Sequence, residues 1–570
     1  MSLLQDLLNR AAADRKKLGI KTEMERILEL PREELEDRAH FYAEEWTKRF
    51  RKHPNAPTLR PEQGLILETC HRSAKQEDPI GILANVGVGK GKTLAFALMP
   101  NVFEAKRPIL LIPPQMRGPT EEQHWEWSQH YWFDPPEVIA YSTLSRPEST
   151  ALLTEIAPDL IMSDECQALK HASAARTRRF MRYMKKSPET RFAAMSGTLT
   201  TSSLKDFAHL SELALRDRSP LPLDEGILNI WCSILDADGK PDAHAWNMLR
   251  RLYNWAEPPA SYNVRGARQA FNARFKSSPG VVCTTNPSCD SAITIRAEKF
   301  KYGTVIDDAL SLLEEEYALP NGIEIVDALH FHRVKTQIAM GFYYVWDWPD
   351  GVEDEEWVQA RRDWWKACRD YLKVYAREGC DSPFLVEEYV RANGKPKVLA
   401  DALSVWDTQR SKPPPPTKAV WLDYEPLLWA IKWAAQREGA ILWFTSRAVG
   451  EMLQAFGIPT FWEGVPNREA SPTIALSLRV YHEGKNFLTP WDDQLILQPP
   501  SSGAVWEQLL GRTFRPGQES SHVKASVYYH VQPCQEAFGK AIRRSRYIQG
   551  NTLQPQILLL ANREDFIEYK

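Results

Sequence analysis

Residues 85–93 read NVGVGKGKT, and how this stretch is read decides the fold. Three glycines alternate with small or basic residues, and the stretch closes on Gly91-Lys92-Thr93. PIGILA (79–84) before it suits a buried strand, and TLAFALM (93–99) after it suits the start of a helix. A Gly-rich turn from strand into helix aims backbone N–H groups and a helix N-terminus at an anion. On that reading Gly87, Gly89, Lys90 and Gly91 cradle the phosphates of a nucleotide. Lys92 reaches the β- and γ-phosphates, and the Thr93 hydroxyl ligates magnesium. The glycine usual five positions before Gly91 is replaced by Val86. The rival reading is an ordinary structural turn, so the rest of the chain must decide.

A phosphate loop needs a second, acidic strand end. LIMSDECQALK (160–170) supplies one, with apolar residues delivering Asp164 and Glu165. Asp164 suits a magnesium ligand through water, and Glu165 suits the base that orients and deprotonates an attacking water. An Asp-Glu pair alone is common on surfaces; its weight comes from the loop upstream.

Working outward, RPILLIPP, EVIAYS and RFAAMSGT alternate with helical stretches between about residues 58 and 220. Such alternation predicts a parallel sheet covered by helices on both faces. Residues 221–416 break the rhythm and are rich in Trp and charge. There Trp357, Trp364, Cys368, Tyr371 and Tyr375 fall on one helical stripe. SKPPPPTK (411–418) predicts a stiff extended linker, after which AILWFTS, SPTIALSLRV, DDQLILQPP and KASVYYHV restore the alternation. The expectation is an α/β protein with lobes at 58–220 and 417–570, a largely helical insert and Pro-rich linker at 221–416, and a helical segment at 1–57.

The 570 residues exceed what one core accommodates, and the formal net charge of -3 argues neither for nor against nucleic acid. The eight cysteines include no C-x-x-C pair, which predicts reduced thiols in a cytosol-like compartment. No apolar run approaches a membrane span, so no membrane partner is expected. His330 and His332 are read as packed or exposed rather than as metal ligands.

Taken together, these residues resemble the superfamily 2 helicase-type ATPases, specifically the Swi/Snf-like translocase branch. TLRPEQGLIL (58–67) resembles the branch's opening segment, with Gln63 in the place that reads adenine. DECQALKHASAARTRRF resembles its second motif, and MSGTLTTSSLKDFAHL (195–210) its third, Ser196-Gly197-Thr198. AILWFTSR (440–447), SLRVYHEGKNFL (477–488) and EQLLGRTFRPGQ (507–518) resemble motifs IV, V and VI. The chain departs from the pattern at Val86, at His482 in place of a glycine, and at Cys166-Gln167 in place of Ala-His. The arrangement is most like the helicase proteins of tailed-phage replication modules.

The resemblance implies two RecA-like lobes, ATP and Mg2+ as cofactors, and movement on duplex or branched DNA during replication, recombination or repair. It implies catalytic roles for Lys92, Asp164, Glu165, Gln508, Arg512 and Arg515, with the two arginines reaching the γ-phosphate. It implies nucleic-acid contacts at Gln115, Arg117, Thr143, Arg447 and Lys485, mainly to phosphates. The basic stretches at 250–276 and 540–546 are further candidates. The cluster Trp346, Trp348, Trp357, Trp364 and Trp365 suits either the insert's core or base stacking. Two rival functions remain: a strand-separating helicase on DNA or RNA, and a nucleotide-gated scaffold with weak ATPase activity.

Overall fold

The computed structural model describes residues 22–566, apart from 88, 241–242, 253–263, 285–288, 290, 324, 326–327, 349–350, 378–379 and 483–487. The chain is α/β, with a six-stranded and a seven-stranded sheet whose paired strands all run parallel. It divides into two compact units. One holds the residues up to Ser145 together with Leu152–Asn286 and Arg546–Pro555; the other holds Arg146–Ala151, Pro287–Ser545 and the residues from Gln556 onward.

The first unit is built on β1 (Ile82–Asn85), β2 (Pro108–Ile112), β3 (Glu137–Ala140), β4 (Leu160–Asp164), β5 (Arg191–Ser196) and β6 (Val281–Cys283). Their order is β3-β2-β4-β5-β1-β6. The apolar runs are continuous because both faces are covered. Successive side chains point to opposite faces, so Leu83, Ile109, Ile161 and Phe192 enter one core, and Ile82, Leu110, Met162 and Ala193 enter the other. Helix Ala39–Phe50 adds Tyr42, Trp46 and Phe50, spaced by one helical turn, to the second core. Of the helical segment expected at 1–57, residues 1–21 lie outside the described residues, and the rest includes helices Glu23–Glu29 and Ala39–Phe50.

The second unit contains β7 (Ala292–Glu298), β8 (Phe342–Trp346), β9 (Thr417–Trp421), β10 (Ala440–Phe444), β11 (Thr460–Phe461), β12 (Thr473–Ser477), β13 (Asp493–Ile496), β14 (His522–Tyr528) and β15 (Asn562–Glu564). Its sheet runs β11-β12-β10-β13-β14-β7-β15, while β8 and β9 form a separate antiparallel pair. Along β10, Ile441 and Trp443 enter one core and Leu442 and Phe444 the other.

Two features of the stretch 221–416 differ from a largely helical insert. It is split between the units, and it contributes β6 to the first sheet and β7 to the second. Strand β7 has alternating burial, with Ile293, Ile295 and Ala297 inward, and pairs with β14 and β15, far away in sequence. Helices Glu355–Tyr375, Pro383–Asn393 and Lys397–Gln409 enclose a small core of their own. On the first of these the buried stripe is Trp357, Ala360, Trp364, Cys368 and Leu372, whereas Tyr375 is 61% exposed. A stripe of turn-spaced residues drifts around the helix, and Tyr375 lies past the reach of that core.

Candidate active site

The loop residues and the acidic pair come together at the C-terminal ends of the first sheet's strands, where parallel sheets place ligands. Strand β5 lies between β4 and β1. Its register pairs Asn85 with Ser196 and Asp164 with Met195, so Ser196 stands between the loop and the acids.

Position 86 is settled by the backbone. The Val86 N–H donates to the Ser196 carbonyl at 2.9 Å, so this residue prolongs β1, and it is fully buried. The chain turns left-handed at Gly89 (φ 79°) and Gly91 (φ 76°), not at Val86. A β-branched residue fits an extended, buried position, while the two turn positions need glycine.

The start of helix Pro61–Ala74 grips this loop. The Gln63 amide donates to the Gly91 carbonyl at 2.9 Å, the Arg60 guanidinium donates to the Gly89 carbonyl, and Glu62 pairs with Lys90 at 2.7 Å. Lys90 therefore steadies the loop through Glu62. The Gly87 N–H donates to Thr284 Oγ1 at 3.1 Å, and Thr284 donates to Gln554 Oε1 at 3.3 Å. Thr284 and Gln554 carry no motif signal; only the fold brings them here.

Lys92 opens helix Lys92–Phe103, and Thr93 follows it, half-buried. Lys92 Nζ lies 3.4 Å from Glu165 Oε1 and 3.4 Å from the Val86 carbonyl. Burial disfavours the ammonium, but the carboxylates of Glu165 and Asp164 outweigh it and hold the pKa above the ordinary lysine value. Asp164 ends β4, nearly buried; its carboxylate accepts from the Glu165 N–H at 3.0 Å, and its carbonyl accepts from the Tyr141 hydroxyl at 2.8 Å.

Glu165 adopts a left-handed backbone, φ 52°. Its Oε2 accepts from Gln167 Nε2 at 2.7 Å and from the Ser196 hydroxyl at 3.3 Å. The one Ser196 hydroxyl proton is shared with Gln167 Oε1, nearer at 2.5 Å, and the hydroxyl oxygen accepts from the Thr198 N–H at 2.8 Å. Gln167 thus ties the carboxylate to the Ser196-Gly197-Thr198 turn. The Thr93 hydroxyl and the Asp164 carboxylate are hard oxygen donors, the chemistry that suits magnesium held with phosphates and water. Among the described residues no cluster of three or more His, Cys, Asp or Glu side chains forms a metal cage, and that mode of binding needs none.

Gln115 and Arg117 follow β2, and Thr143 follows β3, at the same end of the sheet as the loop. Arg117 is exposed and pairs with Glu121 at 3.0 Å. In the second unit, helix Gly503–Leu510 carries the buried Gln508. Arg512 and Arg515 lie in the turn beyond its end. Arg512 is buried and donates to the carbonyls of His482 at 2.9 Å and Gln508 at 3.3 Å, whereas Arg515 is half-buried. Arg447 starts helix Arg447–Ala455 and is exposed, paired with Glu451 at 2.6 Å. Lys485 lies outside the described residues.

Of the basic candidates at 250–276, three are occupied structurally. Arg274 is buried and donates to the carbonyls of Leu30 (3.0 Å) and Pro31 (2.8 Å), and burial pulls its pKa down to about 10. Arg268 donates to the carbonyls of Leu235 and Asp236, and Lys276 pairs with Glu36 at 2.5 Å. All eight cysteines are free, and no helix among the described residues is long and apolar enough to cross a membrane. No protein-family model matches the chain, and no curated protein matches it either.

Proposed function

We propose that this chain is an ATP-driven DNA translocase of the superfamily 2, Swi/Snf-like kind, with a RecA-like lobe in each unit. The observation that carries this reading is the Lys92–Glu165 contact at the ends of β1 and β4, with Asp164 beside it and Ser196 on the strand between. Lys92 stays protonated and meets the nucleotide's phosphates. Those oxygens compete for the ammonium and release the Glu165 carboxylate to orient a water and take its proton. Gln167 and Ser196 hold that carboxylate in place. A magnesium ion bound with the nucleotide at Thr93 and Asp164 would neutralise developing phosphate charge. Arg512 and Arg515 of the second unit supply the guanidinium charge that such transfers use, and Gln115, Arg117, Thr143 and Arg447 supply contacts to the DNA backbone.

The test is ATPase rate with and without duplex DNA. The wild type is expected to hydrolyse ATP faster with DNA. Glu165→Gln is expected to bind nucleotide and lose turnover by orders of magnitude, because an amide cannot accept the proton. Parent-level turnover in Glu165→Gln would refute the assignment of the base. Triplex displacement without strand displacement separates a translocase from a strand-separating helicase.

A further inference from the structure

The second unit contains a groove of about 1930 Å³, well beyond the ~300–1,000 Å³ typical of small-molecule pockets. One wall is a single face of helix Glu355–Tyr375: Val358, Arg362, Trp365 and Arg369 recur at spacings of three to four residues. The lining also includes the loop after β10 (Thr445, Ser446, Arg447), the loop after β13 (Gln498 to Ser501), and Lys540 and Arg543 of the basic stretch at 540–546. Among the described residues the lining holds ten Lys and Arg and three Asp and Glu, in a chain whose net charge is -3. Two of those three acids are engaged: Asp347 pairs with Lys418 at 2.6 Å, and Glu536 lies 3.5 Å from Lys335. Arg333, Arg362, Arg369, Arg479, Lys540 and Arg543 make no ion pair among the described residues.

Aromatic faces stand among these cations. Trp365 is 45% exposed, while Trp346 and Trp348 are half-buried on the lining, packed edge-to-face against each other and against Trp357. Trp357 and Trp364 are buried instead, so the tryptophan cluster is divided between a core and a surface.

We propose that this groove binds an unpaired strand of nucleic acid, with phosphates on the cationic lining and bases on Trp365, Trp346 and Trp348. The size exceeds what a small molecule fills and suits a polymer. The excess of cations among the described lining residues suits a polyanion, and the exposed indole of Trp365 takes a base only when it is not already stacked in a duplex. The proposal rests on the nucleic-acid part of the reading above and not on ATP hydrolysis.

The test is fluorescence anisotropy, without nucleotide, using labelled oligothymidylate and oligouridylate of about 15 nucleotides and a duplex of equal length. The variants are Arg362→Glu/Arg369→Glu, Trp365→Ala, and Lys397→Glu as a control on an exposed position of the insert outside the groove. The charge reversal is expected to weaken single-strand binding about tenfold or more and to flatten its salt dependence. Trp365→Ala is expected to weaken it at least about fivefold with little change in salt dependence. Lys397→Glu is expected to bind like the wild type, and the tighter of the two single strands names the natural ligand as DNA or RNA. ATPase rate without nucleic acid is expected to be unchanged in all variants. Wild-type affinity in both groove variants would overturn the groove while leaving the translocase reading in place. Absence of nucleic-acid binding by the wild type would overturn both. Duplex binding as tight as single-strand binding, with Trp365→Ala silent, would overturn the unpaired-strand assignment.

Discussion

Glu165 holds a left-handed backbone that L-residues adopt at a cost of ~1–3 kcal/mol, and such strain collects where side chains must be aimed. Its carboxylate is met by Lys92, Gln167 and Ser196, which keep it directed toward the loop. The motif spacing in the sequence named Lys92, Asp164 and Glu165 but gave no role to Gln167, because a hydrogen bond across two strand ends has no local pattern. Arg515 is the residue on which the proposed chemistry depends most sharply. Arg515→Ala is expected to leave ATP binding largely intact, since Lys92 and Thr93 lie in the first unit. It is expected to cut DNA-stimulated hydrolysis by about 10³–10⁵. Arg515→Lys should restore little, because an ammonium lacks the guanidinium fork. Steady-state turnover with saturating duplex DNA, measured beside nucleotide affinity, checks this; wild-type turnover in Arg515→Ala would remove the arginine from the mechanism.

At the scale of elements, the continuous apolar runs announced β1, β2, β4, β5, β10, β12 and β13, because a strand buried on both faces needs little else. Strands β6 and β7 were missed: β6 is only three residues long, and β7 alternates polar and apolar residues within a helix-rich stretch. Helix Gly503–Leu510 carries a pH-sensitive element. Glu507 is buried, accepts from the Ile557 N–H at 2.6 Å, and is pushed by burial up to about 8. An acid whose folded pKa is raised contributes fully below its unfolded value near 4.5, and that contribution is lost as pH rises toward about 8. The melting temperature of the wild type is therefore expected to fall between about pH 5 and pH 8 more steeply than that of Glu507→Gln. The variant should gain stability at the upper end and little at the lower. Melting curves of the two proteins across that range decide it, since the titrations they share cancel; a pH-independent difference would refute the buried-acid account.

At the scale of the whole molecule, ten residues near the chain's end, Arg546–Pro555, belong to the first unit. Tyr547 is fully buried there, with its hydroxyl 2.9 Å from Thr200 Oγ1. Asn551 donates to the Leu235 carbonyl at 2.9 Å, and Asn85, at the end of β1, donates to the Thr552 carbonyl at 3.0 Å. The floor of the Gly-rich loop thus depends on a segment more than 450 residues downstream, as the 467-residue separation of Asn85 and Thr552 shows. Tyr547→Ala is expected to destabilise the first unit by about 3–5 kcal/mol, as large aromatic truncations in cores do. Tyr547→Phe, losing one hydrogen bond, should cost about 1 kcal/mol. Chemical denaturation of both variants measures the difference, and equal stability of Tyr547→Ala and wild type would show that the segment is dispensable.

Local sequence was enough to specify the strand-turn-helix at 82–103, the acidic strand end at Asp164 and Glu165, and the α/β class, because periodicity and turn chemistry act between near neighbours. Tertiary structure alone decided why Val86 is tolerated, since only the β1–β5 pairing reveals that position as extended strand. It alone divided the stretch at 221–416 between two sheets, sent Arg274 inward to the Leu30 and Pro31 carbonyls, and sorted the tryptophans into core and groove. Each of these outcomes depends on residues from tens to hundreds of positions apart meeting in space, and no local pattern of side chains encodes which distant partner a backbone group or an indole will find.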